Sequence, residues 1–241
     1  MEKRLNKYLS EVGYCSRREA DRLIQEGKVL VNGVLPELGM KVSEKDEITV
    51  NGIEIAHKHE FVYLVLNKPK GVTCTTDKQD PTNIIDFINY PERIFHIGRL
   101  DKDSEGLILL TNDGDIVNKI LRSGNQHEKE YVVEVDKRIT PSFIRKMSRG
   151  VAILGTVTKP CYVEKIDDFH FRIILTQGLN RQIRRMCTQL GYHVVRLMRV
   201  RIMNITIEGI KQGKWRYLSQ QEVHEIMMLT EDSSKTEEAS F

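Results

Sequence analysis

Short runs of β-branched and aliphatic residues recur from Phe61 onward, and they constrain this chain more than any other feature. Phe61-Val-Tyr-Leu-Val-Leu66, Gly106–Leu110, Glu130–Val135, Lys159–Lys165, Phe169–Thr176, His193–Leu197 and Ile202–Ile207 all read as strands. Helical signals are fewer. Asn180 can cap a helix over Arg181–Leu190 that Gly191 stops, and Ser219-Gln-Gln-Glu222 is a capping box opening a helix over Gln220–Leu229. Residues 61–229 therefore read as one α+β domain.

Upstream, residues 1–56 read as a module of their own. Leu5, Tyr8, Leu9 and Val12 recur at helical spacing before Gly13. Ser16-Arg-Arg-Glu19 fits a capping box, so a second helix should start at Ser16 and carry Ala20, Leu23 and Ile24 inward until Gly27. Two β-rich runs, broken at Asn32-Gly33 and Asn51-Gly52, have the preferred two-residue hairpin turn. Residues 57–60 look like a linker. The acidic end, residues 230–241, is expected to be disordered.

Arg17 and Arg18 occupy the first turn of the second predicted helix, with Arg22 beyond them. Cations there oppose the helix dipole, a cost offset if phosphates bind at that end; solvated arginines paired with Glu19 and Asp21 explain them equally well. Between Gln177 and Tyr217 the basic residues Arg181, Arg184, Arg185, Arg196, Arg199, Arg201, Lys211, Lys214 and Arg216 face Glu208 alone. So positive a local field points to a polyanion. The 40% apolar and 29% charged fractions fit a globular protein, and no apolar run approaches the length of a membrane span. The charged N-terminus lacks the apolar core of a secretory signal, and Cys15, Cys74, Cys161 and Cys187 suggest neither a disulfide framework nor a metal site. A reducing cytoplasm is the expected compartment.

The stretch "GRLDKDSEGLILLTN", residues 98–112, places acids at alternate positions before an apolar run. Counted from Asp101 it begins like a calcium loop, with Asp103, Glu105 and Gly106 in place. The twelfth position is Asn112 rather than a glutamate, and Leu-Ile-Leu-Leu fills the positions between. Turn chemistry accounts for Asp103 and Glu105. Asp101 lies between Arg99 and Lys102, where a carboxylate is held ionised, as a catalytic group or as a plain ion pair.

Two resemblances resolve this choice. "RLNKYLSEVGYCSRREADRLIQEGKVLVNG" resembles the S4 RNA-binding domain, which implies phosphate contacts for Arg17, Arg18 and Arg22. "IGRLDKDSEGLILLTNDGD" resembles the signature of the RsuA-type pseudouridine synthases, whose aspartate in G-R-L-D is catalytic. "LNKPKG" before it and "EKEYVVEV" and "GLNRQIRRM" after it stand in the expected order, and "ILGTVTK", "QGLNRQIRRMC" and "GKWRYL" resemble the RluF branch. Where the commoner family form has a glutamate and a basic residue, this chain has Gln177 and Leu179.

The resemblance implies a mixed, largely antiparallel catalytic sheet behind a small S4-like domain. It implies isomerisation of a specific uridine, by base flipping, in 23S ribosomal RNA near the peptidyl-transferase region. A transfer RNA anticodon loop is the alternative substrate, and a non-catalytic S4-type ribosome-assembly factor the alternative function. Isomerisation neither adds nor removes atoms, so no cofactor and no metal are expected. Within the family Asp101 is the essential carboxylate, Arg184 its pairing cation, and Tyr131 the ring that stacks on the target base. Lys68 and Pro69 are expected to shape or support the pocket, and Lys68, Arg99, Lys102, Arg181, Gln182 and Arg185 are expected along the RNA path. One chain on one RNA suffices, so a monomer is expected.

Overall fold

The computed structural model describes residues 2–55, 60–121 and 127–231. Most of the expected linker and residues 232–241 of the expected tail lie outside them. Two compact units result: Met1–Val62 with Tyr90–Ile94 and Asn112–Gly114, and Tyr63–Asn89 with Phe95–Thr111 and Asp115–Phe241.

In the first unit, β1 (Lys3–Arg4) leads into α1 (Leu5–Glu11) and α2 (Arg17–Gln25), followed by β2 (Val29–Val31), β3 (Lys41–Val42), β4 (Ile48–Val50) and β5 (Ile53–Glu54). Leu5, Tyr8 and Leu9 meet Ala20, Leu23 and Ile24, and the inward Val29, Val31, Ile48 and Val50 close the core. Burying each such side chain contributes about 1.5–3 kcal/mol. Asn51 and Gly52 both take positive φ (52° and 76°), as a turn between antiparallel β4 and β5 requires. The Ser16 hydroxyl accepts the Glu19 N–H as a helix cap, but the Glu19 carboxylate turns to Arg22, so the expected box forms by half.

The second unit runs β6 (Tyr63–Lys68), α3 (Ile84–Ile88), β7 (Phe95–Ile97), β8 (Glu105–Thr111), α4 (Gly114–Leu121), β9 (Lys129–Val135), α5 (Pro141–Arg149) and the hairpin β10 (Ala152–Ile153) and β11 (Thr156–Val157). After these come β12 (Tyr162–Lys165), β13 (His170–Leu175), α6 (Gln182–Gln189), β14 (Val194–Ile202), β15 (Ile205–Thr206), β16 (Trp215–Tyr217) and α7 (Gln220–Leu229). Nine of the strands form one sheet in the order β12-β13-β9-β14-β8-β6-β16, with β15 on β14 and β7 on β8. The β14–β8 pair is parallel and the others are antiparallel. Every residue of β8 is buried, whereas β13 alternates, as strands at the centre and nearer the edge of a half-covered sheet should. The α+β class and the mixed, mostly antiparallel sheet are as expected.

Three of the differences from expectation have a clear physical reason. The strand expected from Lys159 starts at Tyr162, beyond Pro160, which has no N–H for a ladder. His193–Leu197 and the start of Ile202–Ile207 are one strand, β14. Its interrupting arginines are satisfied within the sheet: Arg201 pairs with Glu130 and Glu128, and Arg199 Nε donates to the Leu107 carbonyl at 2.7 Å. Thr230, expected in the tail, is fully buried and donates its hydroxyl to the Ile226 carbonyl at 2.7 Å. Among the described residues no helix is long and apolar enough to cross a membrane.

Candidate active site

Asp101 sits on the loop between β7 and β8, and its neighbours fix that loop from three sides. Gly98 opens it at φ 73°, where an added Cβ would lie 2.8 Å from a Leu121 methyl. Buried Leu100 anchors it and donates its N–H to the Cys74 sulfur at 3.3 Å. The Ser104 N–H returns to the Asp101 carbonyl at 3.0 Å, and the Gly71 N–H reaches the Lys102 carbonyl at 2.8 Å. The "NKPKG" segment thus braces the aspartate loop through its backbone.

Lys68 supports the pocket from inside its own turn rather than from the RNA path. It is fully buried, and its ammonium donates to the Pro69 and Val72 carbonyls, both at 2.9 Å. Burial pushes its pKa down. This lysine tightens its own turn and presents no charge to RNA, which corrects its place among the expected RNA contacts.

Asp101 and Tyr131 line one cavity of about 540 Å³, together with Arg99, Arg181, Gln182 and Arg184. Lys102 and Arg185 lie outside that lining. Tyr131 is half-buried on β9, opposite Arg199 of β14 and Ile173 of β13. A cavity of this size is within the range that holds a small ligand.

The arginine pairing departs from expectation. Arg181 Nη1 lies 3.3 Å from Asp101 Oδ2, whereas Arg184 Nη2 lies 3.3 Å from Asp103 Oδ2. Arg184 also donates to the Asp103 carbonyl at 3.2 Å and the Ser104 hydroxyl at 3.1 Å. Arg181 reaches Asp101 because it stands at the start of α6 in the left-handed conformation, φ 47°, rather than within the helix. Asn180 does not cap α6: its carbonyl and side-chain oxygen accept from Arg185, at 3.0 and 3.1 Å. Gln182 is buried, and its side-chain oxygen accepts the Leu179 N–H at 3.0 Å, so it shapes the loop instead of facing solvent.

Asp103, which turn chemistry alone would explain, is a hub. Burial would raise its carboxyl, but the Arg181 hydrogen bond and the charges of Arg184 and Arg181 outweigh that and hold it below the ordinary carboxylate range. Glu105, likewise taken for turn chemistry, is a buried strand residue held by Arg196 and Gln212.

Lys129 and Arg199 also line the cavity; Lys129 lies in the "EKEYVVEV" segment, where the resemblance gives it no role, and Arg199 is outside the motifs that carry the resemblance. Strand alternation is the signal that could have found Lys129, which is two residues from Tyr131 and so on the same face. In the first unit Arg17, Arg18 and Arg22 are exposed, and Arg22 pairs with Glu19 and Glu26. Together the cavity offers a carboxylate at its mouth, an aromatic ring inside and several cations. That equipment suits an anionic polymer with one unit inserted.

Comparison with known proteins agrees. Residues 62–189 match the RNA pseudouridylate synthase family and residues 3–48 the S4 domain. The dual-specificity RNA pseudouridine synthase RluF of Escherichia coli (strain K12) is 57% identical over 96% of this chain and 80% of its own. The ribosomal large subunit pseudouridine synthase B of Bacillus subtilis (strain 168) is 38% identical over 95% of this chain and 97% of its own. A crystal structure of a pseudouridylate synthase superposes with a TM-score of 0.69 at 30% identity, covering 92% of this chain and 99% of the other. The chain belongs to the RNA pseudouridylate synthase family, in the RluF branch of its RsuA-type members, and is an RNA-modifying isomerase with an S4 domain.

Proposed function

We propose that this enzyme isomerises a uridine of 23S ribosomal RNA near the peptidyl-transferase region, using Asp101 as the essential carboxylate. The observation that carries the reading is the Asp101–Tyr131 cavity, with Arg181 on the carboxylate. A uridine stacked in a helix cannot reach Asp101, so the nucleotide is extruded into the cavity, at least cost where it is already unpaired. Tyr131 stacks on the extruded ring. The Asp101 carboxylate, positioned by Arg181, acts at the sugar or the base when the N1–C1′ bond opens. Arg184 holds the loop that carries it. The large-subunit assignment draws support from the likeness to the Bacillus subtilis large-subunit enzyme. A ribosomal target also implies a cytoplasmic enzyme acting as a monomer.

Exposed Arg17, Arg18 and Arg22 supply phosphate contacts in the S4 domain, and Arg99, Lys102, Arg181 and Arg185 do so in the catalytic domain. The Escherichia coli relative is named a dual-specificity enzyme, which supports a second substrate; a transfer RNA anticodon stem-loop is the second reading.

The test is to incubate the protein and Asp101→Asn with unmodified 23S ribosomal RNA and transfer RNA transcripts, then map pseudouridine by carbodiimide adducts and primer extension. A stop near the peptidyl-transferase region with wild type alone is expected. Stops confined to transfer RNA would overturn the ribosomal assignment, and stops that persist in Asp101→Asn would overturn the role of Asp101.

A further inference from the structure

Arg199 lies outside the motifs that carry the resemblance, Lys129 belongs to the "EKEYVVEV" segment without an assigned role, and both are cations of the cavity placed unlike the other basic residues of the sheet. Arg201, on the same strand as Arg199, is matched by Glu130 and Glu128. Arg172 on β13 is matched by Glu164 and Glu130. Arg199 is 3% exposed, and among the described residues neither it nor Lys129 pairs with a carboxylate. Its Nε is used on the Leu107 carbonyl and its Nη1 on the Arg99 carbonyl at 3.5 Å, which leaves a buried Nη2 with no acceptor.

Lys129 reaches the His127 carbonyl at 3.3 Å, a long contact for an ammonium. Burial first, and then the Arg199 charge, lower its pKa to about 8. A buried arginine and a half-buried lysine set together without an acid are costly to the fold, and an unused buried donor adds to that cost. Such an arrangement is stable when an acceptor with negative charge arrives from outside.

Position selects which acceptor. Arg199 stands directly across the ladder from Tyr131, and Lys129 is two residues from Tyr131 on the same strand. A backbone phosphate stays outside the cavity, within reach of exposed Arg99 and Arg181 rather than a guanidinium buried in the sheet. The ring that stacks on Tyr131 goes deeper. We infer that Arg199, aided by Lys129, donates to the carbonyl oxygens of the extruded uracil and holds the negative charge that ring acquires when its bond to C1′ breaks. This rests on the reading that the target uridine enters the Asp101 cavity.

The chemistry balances without a further reactant. Heterolysis leaves the N1–C1′ electron pair on the ring, spread over N1 and the O2 and O4 carbonyls, while C1′ becomes electron-poor beside Asp101. The ring turns and C5 supplies the pair for the new bond to C1′. The C5 proton then leaves and N1 gains one, so the product is an isomer. Arg199 transfers no proton; its donors match the developing charge in a water-poor site, where such donors act most strongly. The same donors oppose the amino group that cytosine carries at its C4 position.

The test uses the full chain and two stem-loop RNAs that differ at the target nucleotide, uridine in one and 5-fluorouridine in the other. Fluorine withdraws electron density, so the departing ring holds more of its own charge and needs Arg199 less. Single-turnover loss of the parent nucleoside is measured for wild type, Arg199→Gln and Lys129→Met, with RNA affinity and melting temperature alongside. Arg199→Gln is expected to lose about 10²–10³-fold on uridine, as removal of a charge-stabilising donor does. It should lose about ten-fold less on 5-fluorouridine at unchanged RNA affinity. Lys129→Met should show the same contrast to a smaller degree, and it decides the matter if Arg199→Gln does not fold. Equal losses on the two RNAs, or a loss confined to affinity, would overturn the inference. A wild type that turns over neither RNA would overturn the functional reading, and this inference with it.

Discussion

Arg181, not Arg184, faces the Asp101 carboxylate, at 3.3 Å from Nη1 to Oδ2, while Arg184 lies 3.3 Å from the neighbouring Asp103. Arg181 also donates to Asp103, at 3.1 Å, so Asp103 is shared by both arginines while Asp101 meets Arg181 alone. Arg181 leaves Asp101 partly open to the cavity, and Arg184 fastens the Asp103 and Ser104 side of the turn.

The two aspartates are therefore expected to fail differently. Asp101→Asn should lose at least about 10³-fold in turnover, with a melting temperature close to wild type, because its side chain is more than one-third exposed. Asp103→Asn should retain measurable turnover and melt earlier. The arginines hold Asp103 below the ordinary carboxylate range, so its contribution to stability is present above the unfolded value of about 3.9 and is lost as pH falls through the folded value. Melting curves from pH 3 to 7 should show a stability gap between wild type and Asp103→Asn that closes at the acid end. A gap independent of pH would contradict the ion-pair account.

Lys68→Met separates a bracing lysine from an RNA contact. Removing the ammonium leaves the Pro69 and Val72 carbonyls without that donor inside the protein. A loss of about 1–3 kcal/mol in stability and a fall in turnover are expected, with RNA affinity unchanged. Filter binding decides between the roles, since an affinity drop with intact stability would restore Lys68 to the RNA path.

Gly106 should tolerate no side chain. Its φ is 108°, and an added Cβ would lie 2.2 Å from the Arg199 carbonyl oxygen, on the neighbouring parallel strand. Backbone cannot yield there without parting β8 from β14. Gly106→Ala is expected to cost about 3 kcal/mol or more, seen as a lowered denaturation midpoint or insoluble protein. A near-wild-type midpoint would mean that the two strands can separate freely.

How much is legible in the sequence depends on whether a residue's role is local. The caps at Ser16 and Ser219 and the turn at Asn51-Gly52 are set within a few residues, and the sequence displays them. Asp101 and Tyr131 are found through motif order, which stands in for their meeting in space. Arg199 looks like an interruption of a strand because its partner, the Leu107 carbonyl, is brought to it by the β8–β14 pairing. The burial of Lys68 is hidden for the same reason: nothing in "NKPKG" says that the chain folds back over the ammonium. The Arg181–Arg184 exchange arises from one residue at φ 47°, a backbone choice that helical spacing does not convey.

RNA affinity should reside partly in the S4 domain and follow salt. Arg17→Ala with Arg18→Ala removes two exposed cations from the start of α2. The slope of log affinity against log salt should shrink by about 0.7–0.9 for each phosphate these arginines neutralise, while single-turnover rate at saturating RNA stays at the wild-type value. A slope that does not change would remove these arginines from the interface.

Lys129 carries a stability cost that pH can reveal. Its folded pKa, lowered to about 8 by burial and the Arg199 charge, lies below the unfolded value of about 10.4. Below pH 8 both states are protonated, and the folded state bears the full cost of a half-buried charge. As pH rises from about 8 to 10.4 the folded state gives up its proton first, so this group's contribution becomes less unfavourable over that window. Lys129→Met, free of the charge, should therefore melt above wild type at pH 7, by up to about 3 kcal/mol in stability, and the advantage should shrink towards pH 10. Turnover at pH 7 should move the other way. A variant that is more stable and slower identifies Lys129 as a charge the fold carries for the reaction. One that is less stable at every pH would show the ammonium to be a net support of the sheet.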